Sequence, residues 1–335
     1  MIKIYGKHRA MQHIGNFRSS GRMPHALLLY GAKGMGKRTL ADYIAMTYVC
    51  EDKQNAPCMK CRSCRLAAEH GYPDIAYPVS MIEEEHKRDT KKNMVDMLRA
   101  FIASCSAKPI DSDVRVVVFE HIDKLSVQMQ NTLLKFIEEP LSFNKYIFTA
   151  DNKAPVLQTV LSRVTAVNVD PADEREFAEA ISEHKFEDDH TVPPARITEL
   201  FDMFGGNIGA AIEYEAGGES VQYLAAALKA CDAVAARREL DCLLALLAVK
   251  TRDELFGAVG VIADIMAQSA VFKSGAALPG AYKKQTVRLA ESFSLEKLTA
   301  MYEEMNRLYG KSYTNPNIKL FAAECTSSLM RAAAR

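Results

Sequence analysis

Gly31-Ala32-Lys33-Gly34-Met35-Gly36-Lys37-Arg38-Thr39 has the spacing of a phosphate-binding loop, with one residue type out of place. Gly31, Gly34 and Gly36 let backbone N–H groups turn toward phosphate oxygens, and Lys37 is long enough to reach terminal phosphates. The apolar run Ala26–Tyr30 before the loop reads as a buried strand, and Thr39–Val49 after it reads as a helix. That strand–loop–helix context is what the G-x-x-x-x-G-K-[ST] pattern requires, and the helix N-terminus adds partial positive charge. The residue after the lysine should carry a hydroxyl for magnesium. Here it is Arg38, and the hydroxyl arrives one residue late at Thr39. The spacing predicts a nucleotide pocket that lacks a standard magnesium ligand, with ATP or ADP bound weakly or not at all.

A second nucleotide motif is altered in the same direction. Val114–Phe119 is an almost unbroken β-branched run, the pattern of a parallel strand buried on both faces. In phosphate-loop enzymes such a strand ends in an Asp for magnesium, and in ATPases with an Asp-Glu pair the Glu polarises the attacking water. This strand ends in Glu120-His121-Ile122-Asp123, so Glu120 takes the Asp place and His121 the Glu place. Changes at Arg38, Glu120 and His121 together predict a fold that kept its architecture and lost hydrolysis. His121 reads as a decayed catalytic position rather than a new base.

Cys50, Cys58, Cys61 and Cys64 fall within fifteen residues, spaced C-x7-C-x2-C-x2-C. Four thiolates can enclose Zn²⁺ as a closed tetrahedral site, and with every position filled by Cys the metal is structural. Disulfides fit poorly with a chain that has no secretory signal. Cys105, Cys231, Cys242 and Cys325 are isolated and read as small apolar residues in helices. Lys60, Arg62 and Arg65 around the cluster read as the solvated face of a small knuckle, or as a DNA contact.

The 335 residues leave room for two or three domains, and Lys+Arg and Asp+Glu balance at 42 each. A chain that binds DNA strongly by itself usually carries a basic excess, so neutrality counts against strong binding by the chain alone and leaves DNA contact within a larger assembly open. Met1–Ala10 is charged with no apolar stretch behind it, and the longest apolar run, Cys242–Val249, is too short for a bilayer. A cytoplasmic protein without membrane contact is expected.

The first half alternates strand and helix signals, as an open parallel sheet requires. Strands are expected at Ala26–Tyr30, Asp74–Val79, Val114–Phe119, Tyr146–Ala150 and Thr165–Val169. Helices are expected at Thr39–Val49, Lys92–Ala103, Val127–Glu138 and Ala154–Leu161, with Met81–Asp89 as a charged loop. At Asp170-Pro171 the composition changes: Asp170 suits an N-cap, Pro171 a first helical turn, and Asp173 the positive helix end. Ala172–Ser182, Ala195–Phe204 and Ile208–Ala216 then read as three short helices, with Gly205-Gly206 separating the last two. From residue 219 onward the periodicity is helical throughout: Val221–Ala230, Leu240–Ala248, Leu255–Phe272, Lys284–Phe293, Leu295–Leu308 and Ile318–Ala334, with turn signals at Gly275, Pro279, Gly310 and Pro316.

Taken in order, the phosphate loop, the four-cysteine insertion, the degenerate acidic strand, Gln130-Asn131-Thr132-Leu133-Leu134-Lys135-Phe136-Ile137-Glu138-Glu139-Pro140 and Leu161-Ser162-Arg163 resemble the subunits of the bacterial DNA polymerase III clamp loader, an AAA+ assembly. Pro24-His25-Ala26, Pro73-Asp74 and Asn315-Pro316-Asn317 fit the same family. The resemblance implies an α/β P-loop NTPase (AAA+) domain over residues 1–169 carrying a zinc-knuckle insertion at 50–64. A small helical lid at 170–217 and an all-α collar for oligomerisation at 218–335 follow. It also implies partners: gamma/tau-like ATPase subunits, a delta-like subunit, the sliding clamp and primer–template DNA.

The family's Ser-Arg-Cys motif stands here as Ser162-Arg163-Val164, which implies that Arg163 projects toward ATP held by a neighbouring subunit. Without the family, Arg163 reads as an arginine closing a helix C-terminus. Active relatives carry an intact lysine–hydroxyl pair, an Asp-Glu pair and a second-sensor Arg, whose place falls at Gly209 here. The reading is therefore a loader subunit without intrinsic ATPase, acting within the polymerase III holoenzyme. The alternatives are an active gamma/tau-like motor and a stand-alone zinc protein that binds nucleic acid. His25 reads as packed under the sheet or near nucleotide. Lys135, Glu138 and Glu139 read as a solvated helix end or a subunit contact, and Lys3, Lys7, His8 and Arg9 as surface charges.

Overall fold

Five short runs rich in β-branched and aliphatic residues pair into one parallel sheet. A computed structural model describes residues 3–20, 23–187, 190–218, 220–278, 281–310 and 317–334. The chain divides into two units, Met1–Pro171 and Ala172–Arg335.

The first unit runs α1 (His8–Ser19), β1 (Ala26–Tyr30), α2 (Lys37–Val49), α3 (Arg62–Ala68), β2 (Ile75–Ala76), α4 (Pro78–Arg88), α5 (Met94–Ser104), β3 (Arg115–Phe119), α6 (Val127–Glu138), β4 (Asn144–Ala150), α7 (Gln158–Leu161) and β5 (Thr165–Asn168). The strands stand in the order β2-β3-β4-β1-β5 and every pairing is parallel. Side chains alternate across the pleat. Leu28, Val117, Phe119, Tyr146 and Phe148 pack on one face with Leu98 of α5 and Leu133 of α6. Leu27, Leu29, Val116, Val118, Ile147 and Val167 pack on the other with Leu40 and Ile44 of α2 and Ile14 of α1.

Three expectations change here. The strand expected over Asp74–Val79 is only Ile75–Ala76, because Pro78 takes the first position of a helix. That helix, α4, occupies most of the stretch expected to loop out. Val79 and Ile82 are buried, and His86, Lys87 and Arg88 sit at the C-terminal end, where the dipole favours cations. The helix expected from Ala154 is confined to Gln158–Leu161. Asp74 itself is an anchor. Its carboxylate is buried and accepts from the backbone N–H groups of Ile110 at 2.6 Å, Asp111 at 2.7 Å and Ser112 at 2.8 Å, fixing the loop that leads into β3. Asp74→Ala strands three N–H donors, each worth about 1–3 kcal/mol when left unpaired. Even at the low end of that range, about 3 kcal/mol in all, thermal denaturation of the variant should show a Tm lower by roughly 6–12 °C; an unchanged Tm would show that Asp74 does not anchor this loop.

The second unit is helical and holds two apolar clusters. Helices α8 (Glu174–Glu183), α9 (Pro194–Phe204) and α10 (Ile208–Glu215) enclose Phe177, Ile181, Ile197 and Leu200. The cap of α8 is Asp173, whose carboxylate accepts from Glu176 N at 2.8 Å, not Asp170 as expected. Gly205 and Gly206 both have positive φ, and a Cβ at Gly206 would lie 2.0 Å from the Ala172 carbonyl oxygen, so only glycine allows that close approach. The larger cluster is built by α11 (Ser220–Ala235), α12 (Glu239–Leu247), α13 (Arg252–Lys273), α14 (Lys283–Ser292), α15 (Leu295–Tyr309) and α16 (Ile318–Ala334). By length and composition α13 is apolar enough to cross a membrane, with mean hydropathy 1.8 over Glu254–Lys273, longer than the apolar run singled out in the sequence. Its Leu255, Val259, Ile262 and Met266 lie in the core of this unit. Pro279, Asn315 and Pro316, read as turn or family signals, lie outside the described residues.

Candidate nucleotide and metal sites

The strand order decides which side chains meet. β4 lies between β1 and β3, with Tyr30 level with Ala150 and Phe119 level with Phe148. The residues leaving the C-terminal ends of three neighbouring strands are therefore Gly31, Asp151 and Glu120. In an open parallel sheet that edge is where ligands bind.

Lys37 opens α2 behind Gly36, which caps the helix at φ 71°. The lysine is buried, and its ammonium donates to the carbonyl oxygens of Gly31 at 2.7 Å and Ala32 at 2.9 Å. It also stands 2.7 Å from Asp151 Oδ1. That contact is an ion pair rather than a directed hydrogen bond, since Oδ1 has no hydrogen-bond partner among the described residues. Asp151 Oδ2 faces His121 Nδ1 at 3.7 Å and Lys124 Nζ at 3.2 Å. His121, Lys37 and Lys124 together hold the Asp151 carboxyl well below the usual carboxylate range. At 3.7 Å the His121 contact is long for a hydrogen bond, so the two ammonium groups are its firm partners. Asp123 sits beneath, accepting from the N–H groups of Asp151 at 3.0 Å and Asn152 at 3.1 Å.

Arg38 does the opposite job for Glu120. Its Nη1 forms a short hydrogen bond to Glu120 Oε1, and its Nε donates to Asp42 Oδ1 at 3.1 Å, one helical turn on. The guanidinium carbon lies 4.1 Å from the Tyr77 ring centre, and Tyr77 in turn donates its hydroxyl to Asp42 Oδ1 at 2.8 Å. Ser80 donates to the second oxygen of Glu120. Thr39, the nearest hydroxyl in sequence, is displaced from the Arg38 direction by about 100° of helix rotation. These residues do not fit a magnesium–nucleotide. The carboxylate that should hold the metal is already paired, and position 38 brings a cation where a metal ligand is needed.

The four cysteines do fit a metal. Cys50 follows α2, Cys61 caps α3, Cys64 lies in its first turn, and the four sulfurs are all within 4.8 Å of one another. A tetrahedral Zn–S site with bonds near 2.3 Å places sulfurs about 3.8 Å apart. Backbone N–H groups already point at three of them: Cys58 N to Cys50 Sγ at 3.4 Å, Cys61 N to Cys58 Sγ at 3.4 Å and Cys64 N to Cys61 Sγ at 3.3 Å. N–H donors from Lys60 and Cys61 pull the Cys58 thiol down to about 7, while burial pushes Cys50 and Cys64 up. Arg18 at the end of α1 binds the loop between the ligands, donating to the carbonyls of Lys53 at 2.9 Å, Gln54 at 2.6 Å and Ala56. Arg62 pairs with Asp111 at 2.6 Å.

The family profile described as DNA polymerase III, delta subunit, matches residues 6–173, half of the chain. The chain belongs to that family. DNA polymerase III subunit delta' of Bacillus subtilis is 25% identical over 221 residues, 66% of this chain and 63% of that protein. The delta' of Haemophilus influenzae is 28% identical over 145 residues, 43% of this chain and 42% of that subunit. DNA polymerase III subunit gamma of Buchnera aphidicola from Acyrthosiphon pisum is 30% identical over 161 residues, 48% of this chain and 42% of that protein. The chain thus spans about two fifths to just under two thirds of these relatives. The solved structure of the Bacillus subtilis DNA clamp loader delta protein (YqeN) covers 97% of this chain and 99% of its own, with 11% identity and a TM-score of 0.39, too loose a likeness to argue from.

In this member of the DNA polymerase III delta subunit family, Arg163 follows α7 and stays more than a third exposed. Its Nε pairs with Glu138 at 2.6 Å, and its Nη1 donates to Thr159 O at 2.9 Å and Ser162 Oγ at 3.0 Å. Glu138 is therefore engaged with Arg163. Gln130 of the same helix is buried, donating to the Leu125 carbonyl at 3.1 Å and accepting from Leu157 N at 2.9 Å. His25 reaches the Ile137 carbonyl at 3.2 Å from the end of the preceding segment. Lys7 is not the surface charge expected. It is buried, donates to Tyr5 O at 2.8 Å, and its ammonium lies 2.9 Å from where a Cβ on Gly36 would stand. Asp151 was missed by sequence reasoning; the available signal was an acidic residue directly after the buried strand ending at Ala150.

Proposed function

We propose that this chain is a delta'-type, non-hydrolysing subunit of the DNA polymerase III clamp loader, supplying Arg163 in trans to the ATP site of a neighbouring ATPase subunit. The observation that carries the reading is the Arg38–Glu120 pair: the residue that replaces the magnesium-binding hydroxyl neutralises the residue that replaces the magnesium-binding aspartate. In this reading residues 1–169 are the AAA+ domain, 170–217 a lid and 218–335 a collar that joins gamma/tau-like and delta-like subunits. The assembly holds the sliding clamp and primer–template DNA in the cytoplasm. Cys50, Cys58, Cys61 and Cys64 hold a structural Zn²⁺. An arginine supplied in trans stabilises charge on the transferring phosphoryl group and is worth about 10³–10⁵ in rate.

The similarity to gamma subunits favours a second reading, an active motor. Steady-state ATP turnover of the isolated chain separates the two. The non-hydrolysing reading expects turnover at background level with magnesium present. Turnover near one per second, in the ordinary enzymatic range of about 1–10³ per second, and abolished by Lys37→Ala, would establish the motor instead.

A further inference from the structure

The nucleotide site contains charged side chains that do the work of both halves of a magnesium–nucleotide. The lysine that would meet a terminal phosphate stands 2.7 Å from the Asp151 carboxylate, and Lys124 lies 3.2 Å from that carboxylate on its other oxygen. The carboxylate that would meet the metal is bound by the Arg38 guanidinium and by Ser80. The Lys37–Asp151 contact is shielded, with side chains 6% and 20% exposed, and the Glu120 carboxylate keeps 12% while Arg38 keeps 38%. Screening is weak around the buried Lys37, so its contact with Asp151 is held firmly, while the Arg38 contact is fixed by its hydrogen bond to the buried Glu120. The Lys7 side chain fills the space in front of Gly36, the point where the loop would let a phosphate approach most closely.

We infer that this phosphate loop is self-liganded: the Asp151 carboxylate is the internal anion of Lys37, the Arg38 guanidinium is the internal cation of Glu120, and the two discriminate against magnesium–triphosphate. Asp151 and Arg38 are thus specificity-determining residues. A terminal phosphate cannot take the Lys37 ammonium while Asp151 holds it. A divalent cation gains nothing at a carboxylate already neutralised. The two pairs act at separate atoms, so their effects are separable by substitution. This inference deepens the non-hydrolysing reading but does not depend on Arg163.

Calorimetric titration of the full chain with ATP, once with magnesium and once with EDTA, tests it. The wild-type chain should bind ATP weakly and equally in both buffers. Asp151→Asn should raise ATP affinity by roughly tenfold or more, still without magnesium dependence, because Arg38 remains on Glu120. Adding Arg38→Thr to Asp151→Asn should make the affinity rise with magnesium. Wild-type affinity that rises about tenfold on adding magnesium would overturn the inference. So would an Asp151→Asn chain that melts cooperatively like wild type yet gains no affinity. If Asp151→Asn fails to fold, Asp151→Ser carries the same expectation, and the wild-type comparison of magnesium with EDTA decides alone. A silent Asp151→Asn leaves the trans-arginine reading standing, because that reading is measured in the assembled loader.

Discussion

Protein purified without added metal is expected to carry one Zn²⁺ per chain, and its removal is expected to melt the segment from Cys50 to Cys64. The reason lies in what that segment would otherwise have for a core. Its apolar cluster consists of Cys50, Ala56 and Cys64, with Cys58 and Cys61 packed against it. Within that cluster only Ala56 is not a ligand, and Met59 is the apolar side chain by which the segment packs on the core of the sheet. Burying so little apolar surface cannot offset the entropy of ordering fifteen residues, which costs about 1–2 kcal/mol each in backbone freedom alone. Metal binding must supply the difference, and structural zinc contributes about 10–16 kcal/mol in small zinc modules.

The double substitution Cys61→Ser, Cys64→Ser should therefore release the metal and remove amide protection from residues 50–64 in hydrogen exchange. The parallel sheet should keep its protection, because its core lies between the sheet and helices α2, α5 and α6. Arg18, which binds three carbonyls of this loop, should lose those partners at the same time. Less than about a tenth of an equivalent of zinc, with all four thiols reacting at the rate of free cysteine, would rule out a structural tetrahedral site.

The parts of the molecule legible in the sequence were those where scarce residue types sit at fixed spacing. Four cysteines in C-x7-C-x2-C-x2-C leave few arrangements open, and the four sulfurs converge. The glycines and Lys37, set between an apolar strand and a helix, gave both the loop and its place. The near-continuous valines of β3 gave a buried parallel strand. What escaped was whatever depends on which strands become neighbours. Nothing local in Tyr146–Ala150 says that β4 will lie between β1 and β3, and only that order brings Asp151 to Lys37. Helix α4 escaped because its exposed face is almost entirely charged, leaving Val79 and Ile82 as too faint a stripe. Lys7 escaped because a buried lysine is rare, and burial of its stem against the loop is a tertiary event.

Under the proposed role, substitution of Arg163 carries the largest functional consequence. Glu138 and the Thr159 carbonyl hold its guanidinium at the end of α7, where it remains partly exposed; the proposed role has it meet a partner's phosphate from there. An interaction made mainly in the transition state, once removed, lowers kcat and leaves the apparent affinity for ATP nearly unchanged. At the single site served by this arginine the loss should approach about 10³-fold or more. The total rate of a loader with several ATP sites falls only partly, and clamp loading falls further if the sites act in sequence. Arg163→Lys should not restore the rate, because a point charge lacks the planar fork that spans phosphate oxygens. The measurement that bears most directly on the proposed role is therefore clamp- and DNA-stimulated ATP turnover by loaders assembled with the wild-type or the Arg163→Ala chain, at saturating ATP, clamp and primed DNA. The trans-arginine role predicts normal assembly, a reduced kcat and slowed clamp loading; equal turnover and equal loading by the two loaders would contradict it and leave Arg163 as the residue that closes α7 against Glu138.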